Sequence, residues 1–233
     1  MKSEKYIALM PMKANSQRVP GKNFRPLGQK VLYLWMLETL LDVADISMIV
    51  INTDADELLQ SEYLSTLDRV LVRERPESLR GDDISMNNII RNDLDCLAGS
   101  KFLMTHSTNP FIEAKTIKTA IFEFEKGLEN GNCDSLFSVN KHQTRFYRGD
   151  CSPINHDPNK LAQTQDLDPW FEENSCLYLF TRSSFLSTSG RVGLRPTLFE
   201  TPKLQSIDID TVEDWNVAEV VAAGMRSISK AQL

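Results

Sequence analysis

The chain is poor in the residues that most metal and redox chemistry needs. Its 233 residues include only three histidines, far apart at 106, 142 and 156, so a histidine-rich metal centre is not expected. Its four cysteines, Cys96, Cys133, Cys151 and Cys176, are dispersed with no C-x-x-C pair. They read as reduced thiols of a cytoplasmic protein, neither a disulfide framework nor a zinc site. No apolar run approaches the roughly 20 residues that cross a membrane, and Met1-Lys-Ser-Glu-Lys5 leads straight into a strand without a signal-peptide pattern. A dinucleotide fingerprint G-x-G-x-x-G is missing after the first strand. The net charge of −6 and the lack of an extended basic face argue against a nucleic-acid partner.

One local absence is more informative. From Lys5 to Leu37 there is no aspartate or glutamate, although acids outnumber bases overall. In that window the apolar run of a first strand ends at Met12, and Lys13, Arg18, Lys22, Arg25 and Lys30 follow. An island of positive charge at a strand's end suits a polyanion such as a nucleoside triphosphate, or is simply a solvated basic loop. The spacing Ser16-x-x-x-x-Gly21-Lys22-Asn23 approaches the phosphate loop G-x-x-x-x-G-K-[ST] but lacks its first glycine and its final hydroxyl. Pro20 also removes a backbone donor, and the next helical pattern begins only near Lys30, so a P-loop NTPase is rejected.

Periodicity predicts strands at about 5–12, 47–53, 69–73, 100–106, 134–140 and 175–181, with a weaker one near 197–201. Helices are expected at about 30–44, 56–66, 84–98, 113–126 and 212–226. The alternation predicts an α/β fold, with a Rossmann-like, mostly parallel sheet covered by helices on both faces, in one domain over 1–233. Ligands of such sheets bind at the strands' carboxyl ends, where Asn52-Thr-Asp54 and His106-Ser-Thr-Asn-Pro110 are polar. Regular patterning fails from 140 to 170, a stretch holding Phe146, Tyr147 and Trp170. So long an irregular segment is functional, packs on a partner, or is a disordered surface loop.

Near the C-terminus, Ser206-Ile-Asp-Ile-Asp-Thr-Val-Glu-Asp214 alternates Asp208 and Asp210 with Ile207 and Ile209. If extended, it puts both acids on one face about 6.6 Å apart. Adjacent carboxylates repel unless a cation lies between them, and hard oxygen ligands suit Mg²⁺, with Mn²⁺ as a substitute. The plainer alternative is that the acids punctuate a strand–helix junction, with Thr211 and Asp214 capping the last helix.

These motifs, Met10-Pro-Met-Lys-Ala-Asn-Ser-Gln-Arg-Val-Pro-Gly-Lys22 and Asn23-Phe-Arg-Pro-Leu27, together resemble the signature of the CMP-sugar-acid synthetases. These are the cytidylyltransferases that activate acylneuraminate acids and Kdo. Three further segments carry the resemblance: Arg75-Pro-Glu-Ser-Leu-Arg-Gly-Asp-Asp-Ile-Ser85, Thr164-Gln-Asp-Leu, and Asn174-Ser-Cys-Leu-Tyr178. It extends from about Ala8 to Ala218. It implies transfer of CMP from CTP to a 2-keto-3-deoxy sugar acid, nonulosonic or octulosonic, with loss of pyrophosphate.

The resemblance implies that Lys22 and Asp210 are catalytic and that Asp208 and Asp210 hold the metal. Lys13, Ala14, Asn15, Ser16, Arg18, Asn23, Arg75 and Ser85 become nucleotide contacts, and His106, Asn174 and Tyr178 acceptor contacts. It also makes 140–170 an inserted dimerisation arm and the protein a homodimer. Departures are visible. Lys13 stands where the family usually has Arg, His106 replaces Gln, Thr164 replaces Arg, and Glu172-Glu173 replace a basic or mixed pair. With a fixed guanidinium lost near the acceptor, N-acetylneuraminate is expected to be a poor substrate, and Lys141, Arg145 or Arg148 are candidate substitutes for the lost charge. Other sugar nucleotidyltransferases and a non-catalytic nucleotide sensor of the same fold remain as alternatives.

Overall fold

The structure, a computed structural model, describes residues 4–160 and 162–231. In chain order its strands are β1 (Tyr6–Leu9), β2 (Pro26–Leu27), β3 (Lys30–Val31), β4 (Ile46–Thr53), β5 (Val70–Glu74), β6 (Lys101–Met104), β7 (Ser135–His142), β8 (Trp170–Thr181) and β9 (Pro196–Glu200). The helices are α1 (Leu32–Leu41), α2 (Asp56–Leu59), α3 (Glu62–Ser65), α4 (Met86–Cys96), α5 (Ala114–Glu129), α6 (Arg182–Thr188) and α7 (Val212–Ala231).

Seven strands form one sheet in the order β5-β4-β1-β6-β8-β7-β9. All pair in parallel except β8, which runs antiparallel to both of its neighbours. The inner strands of the parallel half are clothed on both faces, while the edge strand β5 leaves Leu71 exposed. On β1, Tyr6 and Ala8 join the core under α1 and α5, while Ile7 and Leu9 join Ile90 and Leu94 of α4 and Phe185 of α6. This two-sided burial explains why these strands read as continuous apolar runs. Between β1 and α1, a small β2–β3 hairpin turns on Gly28, whose φ of 67° favours glycine. It brings Leu27 and Leu32 against Trp215, Ala218 and Ala222 of α7.

Several expectations need correction. The helix expected over 56–66 is two single turns, because Ser61 ends one and caps the next by accepting the Leu64 N–H (3.3 Å). The first helix starts at Leu32, after the hairpin has used Lys30 and Val31. The seven-residue helix α6 was not foreseen. The strand ladder also enters the arm from both sides, pairing Val139–His142 with Trp170–Glu173. Only the segment beyond those pairs is irregular, and it packs on itself: Phe146 stacks on Trp170 at 5.3 Å, and Tyr147 meets His156 at 4.7 Å. Residue 161, inside the arm, lies outside the described residues.

Candidate active site

The basic loop, the tip of β4 and the tip of β6 converge on a cleft of about 560 Å³ at the carboxyl ends of the parallel strands. Its floor is built first. Ala14 donates its N–H to Asp54 Oδ1 (2.8 Å), tying the loop to the end of β4. Asn23, buried, donates to the Lys13 carbonyl (3.1 Å) and accepts from Ser107 Oγ (2.7 Å), tying it to the end of β6. Gly21 turns the chain with a φ of 64° and starts a short 3₁₀ turn that opens with Lys22. Arg75 is buried to 3% exposure. It donates to Asn52 Oδ1 (2.9 Å), the Asn52 carbonyl (2.8 Å) and the Met12 carbonyl (3.1 Å). Asn52 in turn donates to Asp93 (2.8 Å), which also pairs with Arg73. Burial lowers the pKa of Arg75 and raises that of Asp93.

Over this floor the charges pair across the opening. Lys22, only 11% exposed, donates to the Ile209 carbonyl (2.5 Å) and to Asp210 Oδ1 (3.2 Å). Arg18 lies 3.0 Å from the other oxygen of Asp210. Lys13 and Gln17 both bind Asp82, in the loop before α4. Asp208 and Asp210 line the same cleft, while Ile207 and Ile209, which alternate with them, face the core against Trp215. The alternation holds, although 207–210 is an extended loop outside any ladder. Asp214 clamps this loop by accepting the N–H groups of Asp210 (3.1 Å) and Thr211 (2.7 Å), a reciprocal cap with Thr211 Oγ1. Those bonds outweigh the opposing effect of burial and hold the Asp214 carboxyl below its ordinary range.

Asp208 is in a different state. Burial pushes its pKa up, a Thr108 hydrogen bond opposes this, and the neighbouring Asp210 charge adds to the rise. Its Oδ1 is buried with no hydrogen-bond partner among the described residues. A buried carboxylate oxygen without a donor is costly unless something cationic meets it. No group of three or more His, Cys, Asp or Glu side chains that could hold a metal gathers among the described residues, at this site or elsewhere. The donor set at this site is therefore two hard carboxylates, which fits a Mg²⁺ ion completed by phosphate or water oxygens.

The candidates separate as follows. Lys13, Ser16, Arg18, Lys22, Asn23, Arg75, His106, Asp208 and Asp210 line the cleft. Asn15 is exposed outside the lining, and Ala14 takes part through its backbone. Ser85 caps α4, accepting the Asn87 N–H (3.3 Å). It faces an adjoining recess of about 410 Å³ with Glu173 and Arg191. Asn174 does not line the cleft. It sits in a wide β-bulge where Val139 opposes Glu173 but Phe137 opposes Tyr178. There it donates to Thr201 Oγ1 (2.6 Å) and Asn140 Oδ1 (3.0 Å) and accepts from Ser138 Oγ (2.6 Å) and the Cys176 N–H (3.2 Å). The bulge instead turns Ser175, at a φ of 59°, into the cleft.

The Tyr178 ring is fully buried, and its hydroxyl donates to Glu173 and accepts from Arg191 (3.1 Å). Burial and Glu173 push its pKa up to about 12. His106 is held neutral, its pKa lowered to about 4 by burial, with Arg191 and Lys22 adding to the fall against Asp210. Thr164 is exposed on a 3₁₀ turn of the arm. Lys141, Arg145 and Arg148 line neither the cleft nor the recess of this chain. The sequence reading gave no role in the site to Asp82, Ser175 or Arg191, and named Asp54 only as part of a polar strand tip. Asp82 stood within a quoted segment, but nothing in the sequence paired it with Lys13, and nothing marked Arg191, which follows Gly190 outside every motif.

A parallel sheet with a basic loop and facing acids over its carboxyl ends defines an α/β nucleotide-binding protein. Comparison with known proteins takes this further. Residues 7–223 match the cytidylyltransferase family, and the chain belongs to it. It is 22% identical over 228 residues to the pseudaminic acid cytidylyltransferase of Campylobacter jejuni, covering 93% of this chain and 96% of that one. It is 26% identical to the CMP-N,N′-diacetyllegionaminic acid synthase of Legionella pneumophila, covering 91% and 94%. The N-acylneuraminate cytidylyltransferase A of Danio rerio is 26% identical, and the chain spans 94% of its own length but 51% of that relative. Among solved structures, a CMP:2-keto-3-deoxy-manno-octonic acid synthetase complexed with CTP matches with a TM-score of 0.67 at 13% identity. That match covers 95% of this chain and 99% of the other. The protein is a nucleotidyltransferase of the cytidylyltransferase type, and no described helix is long and apolar enough to cross a membrane.

Proposed function

We propose that the protein transfers CMP from CTP to the anomeric hydroxyl of a 2-keto-3-deoxy sugar acid and releases pyrophosphate. The observation that carries this reading is the orphaned oxygen of Asp208 beside Asp210, facing Lys22 and Arg18 across one cleft. Asp210 and Asp82 now neutralise these cations and Lys13, and Asp208 is left without an ion pair among the described residues. A triphosphate entering with a divalent cation exchanges these partners without leaving any charge unpaired. Mg²⁺, held by Asp208 and Asp210, supplies charge neutralisation to the phosphates when bound.

The remaining steps belong to the chain. Lys13, Arg18 and Lys22 orient the triphosphate, and Lys22 stays beside the α-phosphate as its charge grows. The acceptor hydroxyl attacks the α-phosphorus, the bond to the β-phosphate oxygen breaks, and pyrophosphate leaves. The hydroxyl proton passes to Asp210, whose orientation is set from behind by Asp214. No covalent protein intermediate is needed, because positioning and charge stabilisation suffice.

Among acceptors, the replacements at His106 and Thr164 favour a modified nonulosonic acid over N-acetylneuraminate, and two relatives are named for pseudaminic and diacetyllegionaminic acids. We also assign residues 140–170 as a dimerisation arm, supported by the exposure of Tyr147 and Trp170 on it. Light scattering giving a single 26.5 kDa particle would remove that assignment. The functional test is pyrophosphate release from CTP and Mg²⁺ with N-acetylneuraminate, pseudaminate, N,N′-diacetyllegionaminate and Kdo in turn. Release with one acid, abolished by EDTA, is expected. Release with none of them, or undiminished release in EDTA, overturns the reading.

A further inference from the structure

The cation inventory of the site is uneven. Lys13, Arg18 and Lys22 all sit at the loop end, paired with Asp82 or Asp210, and Arg75 is used up beneath them by carbonyl and amide oxygens. The cleft and the 410 Å³ recess share Met86, and Ser175 of the cleft lies 3.2 Å from the Tyr178 hydroxyl that Arg191 also binds. The single cation of that recess is Arg191, 22% exposed at its side chain. Its guanidinium lies 4.0 Å from the centre of the Tyr178 ring, and its NH2 donates to the Tyr178 hydroxyl (3.1 Å) and stands 3.6 Å from Glu173. Tyr178 thus holds the guanidinium by a cation–π contact and by a hydrogen bond. Among the described residues its other nitrogens make no bond, so one edge of the fork remains available.

Resting on the reading of this protein as a sugar-acid cytidylyltransferase, we propose that Arg191 binds the carboxylate of the acceptor and that Glu173 holds that place until the acceptor arrives. The chemistry favours this partner. In a 2-keto-3-deoxy sugar acid the carboxylate shares its carbon with the hydroxyl that lies beside Asp210, so it enters close to that acid while Lys13, Arg18 and Lys22 hold the triphosphate, and a planar guanidinium takes a carboxylate by two parallel bonds. Glu173 is already an anion on the same guanidinium, bonded to the same tyrosine. It therefore acts as an internal competitor, setting a threshold that an uncharged sugar cannot displace.

The test compares the free acids of the panel with their methyl esters, using wild-type protein, Arg191→Met, Arg191→Lys and Glu173→Gln. The expected wild-type preference for acid over ester is about 10²-fold in kcat/KM, the scale of one lost charge-paired contact. Arg191→Met erases that preference, and Arg191→Lys retains part of it. Glu173→Gln lowers KM for the acid several-fold and leaves the ester unchanged, an opposite sign that a purely structural role does not produce. CTP affinity by calorimetry, unchanged in all variants, shows that each is folded. A wild-type preference retained in Arg191→Met overturns the proposal and moves the carboxylate's partner elsewhere, such as the arm of a second copy. Acid binding without turnover, lost in Arg191→Met, overturns the functional reading alone. Wild-type protein that binds CTP but no acid of the panel overturns both.

Discussion

The two walls of the cleft use polar residues in opposite ways. On the loop wall, Lys13, Arg18 and Asp210 are about half exposed, and their partners are other charges that a ligand can exchange. On the wall made by the β7–β8 bulge, Asn174, Ser138 and Thr201 are buried and bonded to one another. Exposed ion pairs contribute little to stability, whereas a buried polar group left unpaired costs about 1–3 kcal/mol. The first wall is therefore built to be rearranged and the second to hold still. Both carry residues of the family signature, so a motif residue does not by itself say which work it does.

The largest expected effect breaks the loop wall. Lys22→Ala should lower kcat by about 10²-fold or more, the scale of losing a contact to charge developing in the transition state. Thermal stability should stay close to wild type, since the lost partners, Asp210 and the Ile209 carbonyl, lie at the cleft. Near-normal turnover, or a collapse of the melting temperature, would place Lys22 on the structural side of the comparison instead.

The reverse outcome is expected on the other wall. Asn174→Ala strands the hydroxyl of Ser138 and the N–H of Cys176, both fully buried. A loss of about 1–3 kcal/mol follows. For a chain of this size each kcal/mol lowers Tm by about 2–4 °C. CTP affinity should change by less than about twofold, a contact worth under about 0.4 kcal/mol. If Asn174→Ala instead keeps its Tm and loses acceptor affinity, then the bulge presents this side chain to the sugar.

The contrast also explains what was legible beforehand. The parallel half of the sheet could be read because Tyr6–Leu9, Ile49–Thr53 and Phe102–Met104 are buried on both faces, and two-sided burial leaves an unbroken apolar run. The acids at 208 and 210 could be read because Ile207 and Ile209, which alternate with them, had to face a core. The bulge could not, since nothing in Glu173-Asn-Ser-Cys-Leu-Tyr178 marks the register shift that turns Ser175 outward and Asn174 inward. Arg191 and Asp82 escaped for a related reason. Each is held by partners distant in sequence, Lys13 and Gln17 for Asp82 and Tyr178 and Glu173 for Arg191, at separations that no local pattern encodes.

A smaller effect sits where the walls meet. His106 stays neutral in the fold down to about pH 4, whereas in the unfolded chain it takes up a proton near its ordinary 6.5. Between those values the unfolded state binds more protons, so this group removes stability as pH falls and restores it as pH rises. Arg191 and Lys22 both oppose its protonation, and Asp210 favours it. Relative to wild type, His106→Gln should therefore melt with a shallower dependence on pH between 6.5 and 4. Parallel Tm-versus-pH curves for the two proteins would show that His106 titrates as it does in water.

The smallest expected effect concerns Ser85, which the family resemblance makes a nucleotide contact and the geometry makes a helix cap. Its hydroxyl oxygen accepts the Asn87 N–H at 3.3 Å, at the start of α4, and it faces the recess, not the cleft. Replacing a serine cap by alanine costs about 1 kcal/mol, because one of the first unpaired N–H groups of the helix loses its acceptor. Ser85→Ala should thus lose a few degrees in Tm with CTP affinity unchanged, while Ser85→Asp, which keeps an acceptor and adds a charge favourable at a helix N-terminus, should recover the loss. The aspartate also discriminates between roles: beside a triphosphate, a new carboxylate would weaken CTP binding. Calorimetry on Ser85→Asp therefore decides the matter, since undiminished CTP affinity in a protein of restored stability leaves Ser85 with capping as its work.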